Sequence, residues 1–143
     1  MTEPSPAVVR WARLGLLLYA LVVAVLTFAP VVEPRVLAEL NLLAARITGS
    51  GGPGLSRLVE RGCNVALFVP LAVLLCAAAP GVRRVLVWLG CVAGSVAVEL
   101  VQWRFLPDRT ASVVDVVTNS TGAAVGVLVH RVLAPRLLAR RGR

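Results

Sequence analysis

The chain contains no lysine and a single histidine, His130. With one imidazole, no Cys/His metal-ligand spacing can be built. Cysteine is scarce too. Cys76 and Cys91 fall inside apolar runs, where a thiol behaves as a small hydrophobe, and Cys63 has no evident partner, so a disulfide framework is excluded. The glycine-rich stretch TGSGGPG, Thr48 to Gly54, lacks the Lys-Ser/Thr end of a phosphate loop and follows no strand, so it reads as a flexible break. Acidic residues number only 7 against 15 arginines, which leaves a net charge of +8. Those arginines flank apolar runs and do not cluster on an amphipathic surface, so a nucleic-acid partner is not expected.

Apolar length is abundant. Of 143 residues 58% are hydrophobic, and the mean hydropathy is +0.85, far above that of a domain with a water-facing surface. The expectation is an all-α, polytopic membrane protein, a single domain over residues 1–143. Four segments, 10–30, 63–79, 85–103 and 113–133, approach the roughly 20 residues that cross a bilayer core. The second is the shortest and has room to extend backward into LSRLVERG. Pro30, Pro80-Gly81 and Pro107 punctuate the ends. The first segment is longer than the roughly 7–15-residue apolar core of a cleaved signal peptide, and its small-residue exit runs into Pro30, so it reads as an anchor or a true span.

Arginine placement sets the expected orientation. With both termini cytoplasmic, the inner set is Arg10, Arg13, Arg83, Arg84, Arg131, Arg136, Arg140, Arg141 and Arg143. The outer side then holds fewer arginines, interleaved with Glu33, Glu39, Glu60 and Asp108. The expected location is the bacterial plasma membrane. Residues 31–62 form an extracytoplasmic loop in which Leu37, Leu40, Leu43 or Ala44, and Ile47 recur at helical spacing. That pattern suits a short helix lying in the outer interface, or one packed over the bundle.

Polar residues inside the spans carry the functional argument. On the third segment Cys91, Ser95, Glu99 and Gln102 form one stripe, and on the fourth Asp115, Thr118, Asn119, Gly122 and Gly126 do the same. The Gly122-x-x-x-Gly126 pair allows a close helix approach. On the second segment Asn64 lies near the outer end, and Pro70 frees the carbonyl of Ala66. Glu99 lies some 14 residues up its helix, or ~21 Å at ~1.5 Å per residue, which brings it level with Asn64, Asp115 and Asn119 in the outer leaflet. For Asn64, Gln102 and Asn119, pairing that fixes helix register competes evenly with a functional role. A carboxylate at that depth costs roughly 2.5–3.5 kcal/mol unless paired, whereas register could be set by Asn or Ser, so Glu99 points to function. Arg104 and Arg109 are the expected counter-charges. His130 is expected at the cytoplasmic interface beside Arg131, with Trp88 and Trp103 as interface anchors.

The motifs NVALFVPLA (Asn64, Phe68, Pro70), Glu99-x-x-Gln102 and RTASVVDVVTNSTG (Arg109, Asp115, Asn119, Gly122) resemble those of the VanZ-like family of bacterial membrane proteins. The likeness runs from about Asn64 to Leu133. Ser112 stands where the family usually has Asp, and Ala72 where it usually has Gly. One outer carboxylate fewer weakens the case for a multi-carboxylate metal site. The family takes its name from a glycopeptide-resistance determinant, so the resemblance implies a fold and a site more than a reaction.

The expected ligand-binding set is Asn64, Glu99, Gln102, Arg109, Asp115 and Asn119, with no cofactor and no metal. The expected occupant is a membrane lipid, a lipid-linked cell-wall precursor or a glycopeptide-type antibiotic. No nucleophile is evident, so binding is favoured over catalysis. A proton-coupled carrier is disfavoured, because below Cys91 the third segment offers only Leu, Val and Trp. A scaffold, or a homo-oligomer joined through Gly90/Gly94 and Gly122/Gly126, is the remaining alternative.

Overall fold

The computed structural model describes residues 4–28, 32–105 and 112–140, the side chains of 32–33 and 134–140 excepted. Five helices follow one another: α1 Pro6–Phe28, α2 Val32–Thr48, α3 Pro53–Ala78, α4 Arg84–Phe105 and α5 Val113–Arg140. Four of them, all but α2, are long and apolar enough to cross a membrane. The all-helical architecture expected from composition is the one found.

The boundaries differ from the hydropathy pattern where charge intervenes. The second span takes up the room left for it in LSRLVERG and begins at Pro53, ten residues before the apolar run, so that Ser56, Arg57, Glu60 and Arg61 are helical. Its start is local chemistry. Gly52 turns the chain at φ 115, a conformation costly for other residues, and Pro53 begins the helix, where its missing N–H would have had no partner. The anticipated loop therefore shrinks to Gly49–Gly52 between two helices. α2 ends on Gly49 at φ 68, whose N–H returns to the carbonyl of Ala45 at 2.9 Å. At the other end of the chain α5 runs on past Leu133 to Arg140.

Hydrogen bonds between helices fix the directions. Arg13 Nε donates to the Ala78 carbonyl at 3.2 Å and Tyr19 Oη to the Leu67 carbonyl at 2.8 Å, so α1 and α3 are antiparallel. Asn119 Nδ2 reaches Ser95 Oγ at 2.9 Å and Ser112 N reaches Glu99, so α4 and α5 are antiparallel as well. α3 and α5 run parallel and make the most extensive helix–helix contact among the described residues. The described start of α1 and the C-terminal part of α5 lie at the same end of the bundle.

The α3–α5 contact is close because α5 offers glycine there. A Cβ on Gly122 would run into the Val65 carbonyl oxygen and lie 3.0 Å from Phe68 Cβ. One on Gly126 would meet the Val69 carbonyl oxygen and lie 2.8 Å from Ala72 Cβ. Backbone thus packs on backbone, as small-xxx-small pairs permit in a medium where dispersion and fit replace the hydrophobic drive. Beside this seam Ala72, Cys91 and Ala123 form a buried apolar layer, with Phe68, Leu75, Trp88 and Val127 packed around it.

α2 crosses α3 without closing on it. Leu40 and Ala44 face Val59, Cys63 and Ala66 across an open apolar groove of about 330 Å³. Ile47, at the edge of the same groove, remains 76% exposed. α2 is thus partly packed on the bundle and partly bare, the habit of a helix lying in a membrane interface.

Candidate functional site

The polar groups meet at the end of the bundle opposite the described start of the chain. The first turn of α5 organises them. Ser112 precedes the helix, and its Oγ accepts from the Asp115 backbone N–H at 3.2 Å, an N-cap contact. In a capping box the acidic side chain three residues on would bond back to the cap residue's own N–H. Here that N–H goes to Glu99 Oε2 on α4, at 2.7 Å. The Asp115 carboxylate is thereby released to α3, where Asn64 Nδ2 donates to Oδ1 at 2.9 Å. Three helices are joined through one Ser-x-x-Asp turn.

Glu99 is buried, at 8% exposure, and its recorded partner is a neutral backbone N–H. Asp115 is half-buried and is held by a neutral amide. Arg104, an expected counter-charge, instead lies exposed with its guanidinium 5.3 Å from the centre of the Phe105 ring, a cation–π arrangement. Arg109, the other one, lies outside the described residues. Two carboxylates therefore flank Ser112 with neutral donors on both.

One turn deeper, Asn119 donates to Ser95, which is fully buried, while Asn119 Oδ1 is buried without a partner among the described residues. Gln102 parts from the group. It is buried one turn above Glu99, but its Nε2 donates to the Thr27 carbonyl of α1 at 3.0 Å. It secures the first helix and does not join the carboxylates. Of the six expected site residues, Asn64, Glu99 and Asp115 converge, Asn119 lies beneath them, Gln102 turns away, and Arg109 is not described.

The described chain matches the VanZ/LLP1 family model over residues 16–134. It belongs to that family. No curated protein and no solved structure matches it. This VanZ/LLP1 protein is a membrane protein by family and by its four apolar helices.

Two contacts of this VanZ/LLP1 chain escaped the pattern of its sequence. Tyr19 donates to the Leu67 carbonyl, next to the Ala66 carbonyl that Pro70 leaves without its helical donor. A lone tyrosine in an apolar span was the signal that could have pointed to it. Trp88, expected as an interface anchor, is half-buried against the apolar layer, with Nε1 donating to the Ser120 carbonyl at 3.0 Å. Its ring is needed to fill the space between α4 and α5, and its N–H finds a carbonyl there. Trp103 stays exposed, as an anchor should. Gly90 and Gly94 meet no described atom within 4 Å of an added Cβ, so of the two glycine pairs only Gly122/Gly126 is engaged within the chain.

Proposed function

We propose that this VanZ/LLP1 protein binds an envelope amphiphile through the carboxylates of Glu99 and Asp115, taking a cationic group of the ligand between them. The observation that carries the reading is the pair itself: two acidic side chains on adjacent helices, joined through Ser112 and each satisfied by a neutral donor. Like charges so placed repel, and a bound ammonium would relieve both at once. An amine-bearing lipid-linked cell-wall precursor and the amino group of a lipid-tailed glycopeptide share that chemistry. In the orientation favoured by the arginines, this end faces the outer leaflet, where both are found.

Binding suits the geometry better than transport. The layer of Ala72, Cys91 and Ala123, walled by Trp88 and Val127, lies between the carboxylates and the opposite end of the bundle. It offers no polar relay. Scaffolding is the competing reading, and a scaffold has no need of a charge at position 99.

Glu99→Gln separates the two. A glutamine oxygen can still accept from Ser112 N–H, so the fold should be kept while the charge is lost. The full chain is extracted gently from its membrane and weighed intact with whatever lipid it retains. An amine-bearing adduct on the wild type that is absent from Glu99→Gln, at unchanged melting temperature, supports binding. The same adducts on both proteins, or a lower melting temperature with full protection against a lipoglycopeptide, would make Glu99 structural and sink the proposal.

A further inference from the structure

The opposite end of the bundle is cationic among its described residues. From Arg61 to Val98 the sequence contains no acidic residue, and none follows Asp115. Arg83, Arg84 and Arg131 are all exposed there. Arg13 stands at the same level, with its Nε engaged by the Ala78 carbonyl. The antiparallel register of α4 and α5 carries Glu99 beside Ser112 and Ser95 beside Asn119, and continued downward it brings Arg84 level with His130. His130 holds a buried Nδ1 with no hydrogen-bond partner among the described residues.

A groove of about 210 Å³ opens at this place between α4 and α5. It is lined by Arg84, Val85, Trp88, Ala124 and Val127. Its shape is built in. The Trp88 ring is pinned by its bond to Ser120, which makes a fixed wall, and the small side chain of Ala124 leaves the depression. One end is cationic and the remainder apolar. That is the complement of a lipid whose phosphate carries net negative charge and whose chain runs along the bundle. A zwitterionic lipid brings its own cation next to the arginines and gains less.

We infer that the α4–α5 groove seats an anionic phospholipid, with Arg84 on the phosphate and an acyl chain along Val85, Trp88, Ala124 and Val127. The site is separate from the Glu99–Asp115 pair and stands or falls independently of it. It would hold the two helices together beyond the Trp88–Ser120 bond.

The test uses the full chain in a mild non-ionic detergent, titrated with dioleoyl phosphatidylglycerol or dioleoyl phosphatidylcholine and read as bound lipid by native mass spectrometry. Wild type should bind phosphatidylglycerol more tightly than phosphatidylcholine. Arg84→Gln should weaken phosphatidylglycerol by fivefold or more, the change equivalent to about 1 kcal/mol for one arginine at an anionic headgroup. Arg83→Gln, which removes an equal charge outside the groove lining, should change it less than twofold. Ala124→Leu fills the depression and should weaken phosphatidylglycerol while leaving every arginine in place. Circular dichroism on each variant confirms the helices are retained. Undiminished preference in Arg84→Gln, equal losses in Arg83→Gln and Arg84→Gln, or full binding in Ala124→Leu would each overturn the site.

Discussion

Replacing Gly126 with alanine adds one methyl group at a point where α5 meets backbone. The new Cβ would lie 2.8 Å from Ala72 Cβ and would strike the Val69 carbonyl oxygen. Carbon atoms prefer roughly 3.5–4.0 Å, and a main-chain carbonyl cannot swing aside as a side-chain tip can. α5 must therefore move outward, and the gap loosens the contacts around Gly122 as well. Overpacking of this kind costs about 1–3 kcal/mol. Against it stands alanine's better helix propensity, worth up to ~1 kcal/mol in an exposed helix interior. The steric term wins, and the expected net loss is about 1–2 kcal/mol. Gly94→Ala is the internal control, because its Cβ meets nothing within 4 Å among the described residues and only the propensity gain remains. The two substitutions are chemically identical yet should move stability in opposite directions. Equilibrium unfolding in mixed micelles with increasing dodecyl sulfate, followed by helical circular dichroism, measures both. Equal midpoints for Gly126→Ala and Gly94→Ala would refute the close α3–α5 contact.

Removing the amide that holds Asp115, by Asn64→Leu, should lower stability by about 1–3 kcal/mol, and Asp115→Asn in the same chain should recover part of the loss. A double-mutant cycle with no coupling between the two positions would deny their bond. Tyr19→Phe deletes one hydroxyl and its bond to Leu67, which should cost on the order of 0.6 kcal/mol in the same unfolding assay. No change would mean that this hydroxyl does not brace the helix above Pro70. Reporter fusions test the orientation: the arginine distribution predicts a C-terminal fusion active only in the cytoplasm and a tag at Gly51 reached only from outside. The opposite pattern would invert the bundle.

The spans were legible from hydropathy, and so was the room for the helix carrying Asn64 to extend backward into LSRLVERG; its start at Pro53 was not. A reading of apolar runs stops at Arg57, Glu60 and Arg61, whereas the backbone continues until a residue can no longer be helical, which happens at the Gly52-Pro53 pair. Charge limits how deep a helix enters the bilayer and says little about where it begins. Gln102 fails for a different reason. Three residues beyond Glu99 it is rotated by about 60° on the helix, close enough to share a stripe on paper and far enough to face another neighbour. With α1 on that side, the Thr27 carbonyl takes it. Periodicity identifies a face, but which helix occupies that face is a tertiary fact. The Gly122/Gly126 seam was legible because a glycine pair on a polar face has few other uses; the sequence could not say which helix would fill it.

The two departures from the usual family residues become intelligible in the same terms. Ala72 is fully buried against Gly126, so a side chain on α3 is accommodated only because α5 has none opposite. Position 72 and position 126 thus divide one small volume, and the methyl group resides on α3. Ser112 caps α5 as an aspartate there would, since both accept a first-turn N–H through a side-chain oxygen. Serine does so without placing a third negative charge beside Glu99 and Asp115. The cap is preserved, the N–H of residue 112 remains on Glu99, and two carboxylates are left for the cation proposed above.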